Sequence, residues 1–235
     1  MTALFVTATG TDVGKTFVTA GLASHVIAKG RAVDVLKPVV SGFDPATAAS
    51  TDPGVLLSAL GGPTTEAEIA NISPWRFRAP LSPASAAQRE GLSLDFAALV
   101  EFCRKAMAAR RDVLLIEGVG GIMVPLDADH TVLDWMTALR LPLLLIAGSY
   151  LGTLSHTLSA VDVLKRHELT IAAVVVSESI ESPVPLDETV ATIARFVAPL
   201  PVLGIPRLPS GTKEHAVFGQ LAELCEHVSR ARCSV

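Results

Sequence analysis

A lysine and a threonine that follow a glycine-containing loop near the start of the chain could together bind phosphate. The loop reads Gly10-Thr11-Asp12-Val13-Gly14-Lys15-Thr16 and separates an apolar run from a helical pattern. Backbone N–H groups at a helix N-terminus bind anions, a lysine adds a charge to the β- and γ-phosphates, and a hydroxyl can hold Mg²⁺. The strict P-loop pattern needs glycine at position 9, which is Thr9 here. The loop still predicts a nucleotide site; the alternative is a glycine turn that only begins a helix.

Two acidic residues could hold the metal ion of such a nucleotide. Glu117 ends an apolar run and precedes Gly118-Val119-Gly120-Gly121, the position of a Walker B carboxylate; the alternative is an ordinary exposed turn. Mg²⁺ is usually bound by one or two carboxylates together with phosphate oxygens and water. The string Ser50-Thr51-Asp52-Pro53 predicts, from spacing alone, that Asp52 is a helix N-cap.

A second lysine, Lys37, closes another apolar run. If that run is a strand beside the phosphate loop, Lys37 and Lys15 enter the same crevice. Two cations there would suit a reaction in which a phosphoryl group moves and negative charge develops. The alternative is a lysine whose stem packs at a strand end while its ammonium group reaches solvent.

The elements that position these residues follow from the alternation of short aliphatic runs with helical patterns. We predict strands at residues 3–7, 32–37, 112–116, 142–147, 171–177 and 201–203, and helices at residues 16–28, 96–109, 131–138, 155–165, 186–197 and 214–228. Continuous apolar strands indicate one α/β domain over residues 1–235, with a single doubly wound, mainly parallel sheet covered by helices on both faces. Ligands then bind at the carboxyl ends of the strands. Residues 39–94 are predicted to be irregular.

Composition excludes several classes of partner. Nineteen Lys and Arg against 23 Asp and Glu give a net charge of −4, so there is no basic surplus for nucleic acid or for a membrane surface. Residues 141–161 lack charge, but Pro142, Gly148 and Gly152 interrupt them, so no membrane span is expected. Three scattered cysteines favour a soluble protein of the reducing cytoplasm.

Several strings fall in an order that resembles one enzyme family. They are Phe5-Val6-Thr7, Asp12-Val13-Gly14-Lys15-Thr16, Lys37-Pro38-Val39-Val40-Ser41-Gly42, Leu81-Ser82-Pro83, Ile116-Glu117-Gly118-Val119-Gly120-Gly121 and Leu151-Gly152. Their combination resembles the dethiobiotin synthetases, which belong to the P-loop group that includes the ParA/MinD-like ATPases. The resemblance spans about residues 3–210.

The resemblance implies an ATP- and Mg²⁺-dependent ring closure of 7,8-diaminononanoate with CO₂. One amine takes up CO₂ as a carbamate, whose oxygen attacks the γ-phosphate to form a carbamic–phosphoric anhydride. The second amine then displaces phosphate and closes the ureido ring. By position, Lys37 would be the catalytic lysine and Lys15 would assist it. The Mg²⁺ ligands would be Thr16, Asp52 and Glu117, so the resemblance gives Asp52 a role that its spacing does not.

The resemblance also implies two sets of binding residues and a homodimer with the substrate site at the subunit interface. The ATP-binding set is Asp12, Val13, Gly14, Lys15, Thr16, Phe17, Asp52, Glu117, Gly118, Val119, Gly120, Ser177, Glu178, Pro206, Arg207 and Leu208. The diamine-binding set is Thr11, Ser41, Gly120, Gly121, Leu151, Gly152, Thr153 and Ser155. In this interpretation residues 151–155 meet the substrate's distal carboxylate in the other subunit.

Three positions depart from the family pattern. Ala8 replaces the leading glycine of the loop, Ala84 replaces a histidine, and Ser177-Glu178 replaces an Asn-Asp pair associated with adenine. The alternative function is a regulatory or partitioning ATPase of the same fold. Those proteins usually carry a lysine early in the loop, where this chain has Gly10.

Overall fold

Six parallel strands form the central sheet of the computed structural model, which describes residues 2–109, 112–208 and 215–233, with side chains up to residue 228. The strands, in chain order, are β1 (Thr2–Ala8), β2 (Val33–Leu36), β3 (Val39–Ser41), β4 (Trp75–Phe77), β5 (Val113–Glu117), β6 (Leu143–Gly148), β7 (Ile171–Ser177) and β8 (Val202–Ile205). Within the described ranges the central sheet has the order β2-β5-β1-β6-β7-β8, and β3 pairs with β4 in a separate parallel sheet.

The helices alternate with the strands of the central sheet. They are α1 (Lys15–Ala28), α2 (Asp52–Ala59), α3 (Glu66–Ile72), α4 (Pro83–Arg89), α5 (Phe96–Ala108), α6 (Val132–Leu139), α7 (Thr153–Arg166), α8 (Leu186–Val197) and α9 (Ala216–Cys233), and a 3-10 helix covers Pro45–Ser50. The predicted start of the last helix, Glu214, lies outside the described residues. No helix in the described part of the chain is long and apolar enough to cross a membrane.

The sheet is buried because its strands are aliphatic on both faces. Every residue of β1, β5 and β6 is buried, as the continuous apolar runs predict for a parallel sheet covered on two sides. From β1 the chain winds outward to β2, whereas from β6 it winds the other way through β7 to β8. Right-handed crossovers in opposite directions place helices on opposite faces, so the predicted doubly wound fold is confirmed.

The prediction of an irregular segment over residues 39–94 was wrong. This segment contains β3, β4, α2, α3, α4 and the 3-10 helix. Each of these elements has only three to eight residues, too few to show a clear period against a background of Ser, Pro, Gly and Ala. The six predicted strands of the central sheet are present, with their ends moved by a few residues.

Helix α2 is fixed closely against the 3-10 helix by a glycine. A Cβ atom on Gly54 would lie 2.2 Å from the carbonyl oxygen of Ala48, so no larger residue fits without a shift of the backbone. The N-cap of α2 is Thr51, and Asp52 is the first residue of the helix. The prediction that Asp52 is the N-cap was therefore wrong, because the cap is the residue before it. The carboxylate of Asp52 is available for other contacts.

Candidate active site at the carboxyl edge of the sheet

The register of neighbouring strands brings Lys37 to Glu117. Leu36 of β2 lies opposite Ile116 of β5, so the residues that follow them meet at the carboxyl edge. The Lys37 ammonium donates to Glu117 Oε1 at 2.7 Å and to the Gly118 carbonyl oxygen at 2.8 Å. The Lys37 side chain is 2% exposed and that of Glu117 is fully buried. This lysine is therefore held in place within the sheet edge, and the alternative of an ammonium group that reaches solvent is excluded.

A second carboxylate, that of Asp52, lies next to the Lys37 ammonium group. Asp52 is the first residue of α2, so the start of this helix faces Lys37. Asp52 Oδ2 lies 3.0 Å from Lys37 Nζ. Burial by itself would lower the pKa of Lys37, but the adjacent carboxylates of Glu117 and Asp52 outweigh it and the net pKa is raised. Burial alone would raise the pKa of Asp52, and the Lys37 charge reverses this and lowers it. Lys37 is thus a permanent cation.

The phosphate loop passes into α1 through Gly14, whose φ of 98° is in the left-handed region that glycine adopts without strain. Lys15, the next residue, is buried, and its ammonium donates to the carbonyl oxygens of Gly10 and Gly120, each at 2.9 Å. Burial and the nearby Lys37 charge lower the pKa of Lys15 to about 8, although nearby carboxylates act in the opposite direction. The two lysines share one crevice but have opposite pKa shifts.

The residues at the sheet edge fit a hard divalent cation. The Thr16 hydroxyl donates to Glu117 Oε1 at 2.7 Å, and Glu117 Oε2 is buried without a hydrogen-bond partner among the described residues. Two carboxylates and one hydroxyl are the oxygen donors that Mg²⁺ uses beside phosphate oxygens. Among the described residues there is no cluster of three or more His, Cys, Asp or Glu side chains that could hold a metal ion.

A cavity of about 920 Å³ opens above these groups. It joins the phosphate loop to β3 and to the segment before α4, and the predicted residues that line it are Thr11, Asp12, Gly14, Lys15, Thr16, Phe17, Lys37, Ser41, Asp52, Val119 and Gly120. Ser41 Oγ is buried with no hydrogen-bond partner in the described part of the chain. We call this space the substrate cavity.

A second cavity, of about 550 Å³, lies on the other side of the loop. The predicted residues that line it are Asp12, Val13, Gly14, Phe17, Ser177, Glu178, Pro206, Arg207 and Leu208. The Arg207 N–H donates to Glu178 Oε2 at 2.9 Å, and the Glu178 N–H donates to the Ile205 carbonyl oxygen at 2.9 Å. Glu178 therefore holds the two walls together. We call this space the nucleoside cavity.

Some predicted residues line neither of these two cavities. Gly118 and Gly121 lie below the substrate cavity, where a Cβ on Gly118 would lie 2.9 Å from the Phe5 ring and one on Gly121 would lie 3.1 Å from the Thr9 carbonyl oxygen. Residues 151–155 lie at the N-terminus of α7, line neither cavity, and are Leu151, Gly152, Thr153, Leu154 and Ser155. The Thr153 hydroxyl is buried and donates to the Gly148 carbonyl oxygen at 2.6 Å.

Sequence reasoning missed part of both cavity walls. Ser179, Ile180 and Glu181 extend the nucleoside cavity, and they could have been found because they directly follow the predicted pair at the end of β7. In the substrate cavity the missed residues are Val40, Gly42, Thr47, Ser50, Thr51, Pro80, Leu81, Ser82, Pro83 and Val124. Val40, Gly42, Leu81, Ser82 and Pro83 lie in strings that carry the family resemblance, so these strings could have identified them. Thr47 and Pro80 lie in the segment that was wrongly predicted to be irregular and had no such signal.

Comparison with known proteins identifies the family of the chain. Residues 2–215 match the family described as AAA domain. The chain is 46% identical over 202 residues to the ATP-dependent dethiobiotin synthetase BioD of Acidiphilium cryptum, covering 86% of this chain and 91% of that protein. It is 49% identical over 201 residues to the protein of the same name from Methylobacterium nodulans, covering 83% and 89%.

Solved structures with lower sequence identity share the fold. The cell division ATPase MinD of Pyrococcus furiosus superposes with a TM-score of 0.53 at 18% identity, covering 98% of this chain and all of that one. A chain of the MinC:MinD cell division protein complex of Aquifex aeolicus gives a TM-score of 0.55 at 12% identity, covering 97% of this chain and 96% of that one. The higher identity and near-complete coverage of the enzymes decide the family: this chain belongs to the ATP-dependent dethiobiotin synthetases.

Proposed function

We propose that this chain closes the ureido ring of dethiobiotin from 7,8-diaminononanoate and CO₂, and converts one ATP into ADP and phosphate. The observation that carries the proposal is the Lys37 ammonium group, fixed between Glu117, Asp52 and the Gly118 carbonyl oxygen beside the phosphate loop. A carbamate that attacks a triphosphate is an anion approaching an anion. A buried cation at the meeting point lowers that repulsion.

The two cavities divide the substrates between them. The base and ribose of ATP would lie in the nucleoside cavity, and the triphosphate would follow the loop at Gly14 into the substrate cavity, because both cavities share Asp12, Gly14 and Phe17. The diamine would lie between Thr11 and Ser41, whose buried hydroxyl has no partner among the described residues. This arrangement would bring the amine nitrogen and the γ-phosphate together beside Lys37.

The reaction then needs three bond changes. An amine nitrogen bonds to the carbon of CO₂ and releases a proton, which gives a carbamate. A carbamate oxygen bonds to the γ-phosphorus as the bond to ADP breaks. The second amine attacks the carbonyl carbon, loses a proton and expels phosphate. Lys37 and Lys15 would stabilise the charge in the middle step, in which phosphoryl transfer depends on positioning and electrostatics.

Thr16, Asp52 and Glu117 would hold Mg²⁺. When bound, the ion supplies positive charge to the phosphate oxygens. Glu117 Oε2 supports this assignment, because it is buried with no hydrogen-bond partner among the described residues and an unsatisfied buried oxygen is costly. Since Lys37 contacts both carboxylates, it would remain next to the ion and to the reacting phosphate.

We further propose a homodimer in which residues 151–155 of one subunit complete the substrate cavity of the other. Leu151 is 86% exposed, and Ile180, in the neighbouring loop, is 81% exposed. Exposed apolar residues on adjacent loops are typical of an interface. The N-terminus of α7 begins at Gly152 and could receive the substrate's carboxylate, since helix N-termini bind anions.

We also propose a cytoplasmic location, as the scattered cysteines predict. Cys103 and Cys225 are buried free thiols, and burial raises the pKa of each to about 12, so both stay protonated and unreactive. Fractionation of the native cells tests this part of the proposal, and recovery in a secreted fraction would contradict it.

The direct test is to incubate the purified protein with 7,8-diaminononanoate, bicarbonate, ATP and Mg²⁺ and to follow dethiobiotin by mass spectrometry. We expect dethiobiotin, ADP and phosphate in equal amounts, with no product when any substrate is omitted. Phosphate release that does not change when the diamine is added would instead favour the regulatory ATPase.

A further inference from the structure

Two serines connect the ends of β6 and β7 by reciprocal hydrogen bonds. The Ser149 N–H donates to Ser179 Oγ at 3.0 Å, and the Ser179 N–H donates to Ser149 Oγ at 2.9 Å. The strand ladder ends at Gly148 and Ser177, so these bonds extend the connection beyond the sheet. Ser149 is 1% exposed. We call Ser149 and Ser179 the serine clasp.

One side of the serine clasp belongs to the nucleoside cavity. Ser179 lines this cavity, between Glu178 and Ile180. Glu178 in turn accepts the N–H of Arg207, so the opposite wall of the cavity is connected to the same segment. The position of Ser179 therefore affects both walls that would contact the base.

The other side leads into the loop before α7. Ser149 is followed directly by Tyr150 and Leu151, and the loop is packed tightly where it leaves β6. A Cβ atom on Gly148 would lie 2.7 Å from the Tyr150 ring and 2.8 Å from Ser179 Oγ. Ser182 Oγ adds a third contact, 3.1 Å from the Ser149 carbonyl oxygen. The start of the segment that leads into α7 is thus fixed to the nucleoside wall through Ser149 and Tyr150.

We infer that Ser149 and Ser179 are positioning residues for both substrates: they fix the nucleoside wall of one subunit and, as the same unit, the loop that this subunit contributes to the diamine site of its partner. This inference rests on the proposed function for its second half. The first half, the placement of the nucleoside wall, depends only on contacts within one chain.

The expected effects are moderate because no group of the serine clasp touches the reacting atoms. Ser149→Ala or Ser179→Ala removes one acceptor and leaves one part-buried N–H without that acceptor. The loss of a hydrogen bond of this kind corresponds to roughly 2- to 10-fold in a binding constant. We therefore expect KM to rise about 2- to 10-fold for both ATP and the diamine, with kcat nearly unchanged. The dissociation constant of ADP should rise by the same factor as KM for ATP.

Three further variants separate positioning from simple destabilisation. Ser179→Thr keeps the hydroxyl and should return both KM values close to wild type. The double variant Ser149→Ala/Ser179→Ala should show less than the product of the single effects, because residues that act as one unit are not additive. Ser159→Ala changes an exposed serine on α7 and should leave all constants as in wild type.

Each outcome decides the inference. A rise in both KM values with Thr rescue supports it. The inference is overturned if the KM values and the ADP affinity do not change. In that case the variants would show only a lower melting temperature or a lower active fraction. If KM rises for ATP but not for the diamine, the second half of the inference is overturned, because the serine clasp then does not position the diamine site. If the wild-type protein makes no dethiobiotin, the proposed function fails, and the ADP titration of the same variants still tests the nucleoside half.

Discussion

At the level of single residues, the site depends on the difference between two lysines. Lys37 contacts two carboxylates, which raise its pKa, whereas burial and the nearby Lys37 charge lower the pKa of Lys15 to about 8. The sequence predicts that both lysines enter one crevice. It cannot predict their opposite pKa shifts, because these depend on burial and on the contact of Lys37 with Glu117, which lies 80 residues further along the chain.

Replacing Lys37 tests the catalytic assignment. We expect Lys37→Gln to lower kcat by about 10²- to 10³-fold, the usual effect of removing one positioned group that stabilises transition-state charge. ADP binding should remain measurable by calorimetry, because the phosphate loop is unchanged. Lys29→Gln, at an exposed lysine after α1, is the matched control and should retain full activity. Near-normal turnover of Lys37→Gln would show that this assignment is wrong.

The lowered pKa of Lys15 predicts a pH dependence of nucleotide binding. Below pH about 8 the free protein carries a protonated Lys15, which attracts the triphosphate. As pH rises above about 8 the free lysine loses its proton, so binding must take up a proton and the Kd for ATP rises by up to about tenfold per pH unit. Calorimetry between pH 7 and pH 9.5 measures this slope. In Lys15→Met the slope should disappear; a slope that persists would contradict the assignment.

At the level of elements, long apolar runs were predictable and short connecting elements were not. The strands that carry Lys37 and Glu117 were found because fully buried parallel strands have continuous aliphatic sequences. Helix α2 carries Asp52, and Pro53 in its first turn is a start signal, but its eight residues are too few to show a clear period. Its place depends on packing against the 3-10 helix and α1, which no local pattern records.

The turn at Gly14 gives a prediction about the N-terminus of α1. A Cβ atom on Gly14 would lie 2.7 Å from Ser177 Oγ, and φ is 98°. We expect Gly14→Ala to displace the loop and weaken ADP binding at least about tenfold, as the loss of one or two amide hydrogen bonds would. Isothermal titration with ADP measures the change.

Gly61 provides the control for this substitution. Its φ is also positive, at 73°, but a Cβ atom there would meet nothing within 4 Å. Gly61→Ala should cost about 1 kcal/mol of unfolding free energy through backbone strain alone and should not change ADP affinity. Equal ADP affinities for the two variants would contradict a role of the Gly14–Ser177 contact in binding.

At the level of the whole molecule, one subunit contains the nucleotide machinery but not the whole proposed diamine site. The nucleoside and substrate cavities meet at the phosphate loop, whereas residues 151–155 line neither of them. The family resemblance predicts this separation through a homodimer. Composition and spacing could not, because an interface formed by a second copy has no signal along one chain.

A charged substitution at Leu151 tests the dimer. Leu151→Asp should shift the protein towards monomer in sedimentation velocity and remove most ring-closing activity, because a buried carboxylate without a partner is costly. ADP binding should persist. Ile27→Asp places the same charge at another exposed apolar position, 40% exposed at the end of α1, and should leave the dimer intact. A fully active Leu151→Asp protein would contradict the shared site.

The central claim is that Lys37 and the phosphate loop allow a carbamate to attack ATP, and the path of oxygen tests it most directly. The reaction is run for seconds with ¹⁸O-labelled bicarbonate, the diamine, ATP and Mg²⁺, and the released phosphate is analysed by mass spectrometry. The account predicts one ¹⁸O atom in each phosphate, formed only when the diamine is present. Unlabelled phosphate from labelled bicarbonate, with ¹⁸O entering from labelled water instead, would show direct hydrolysis and would contradict it.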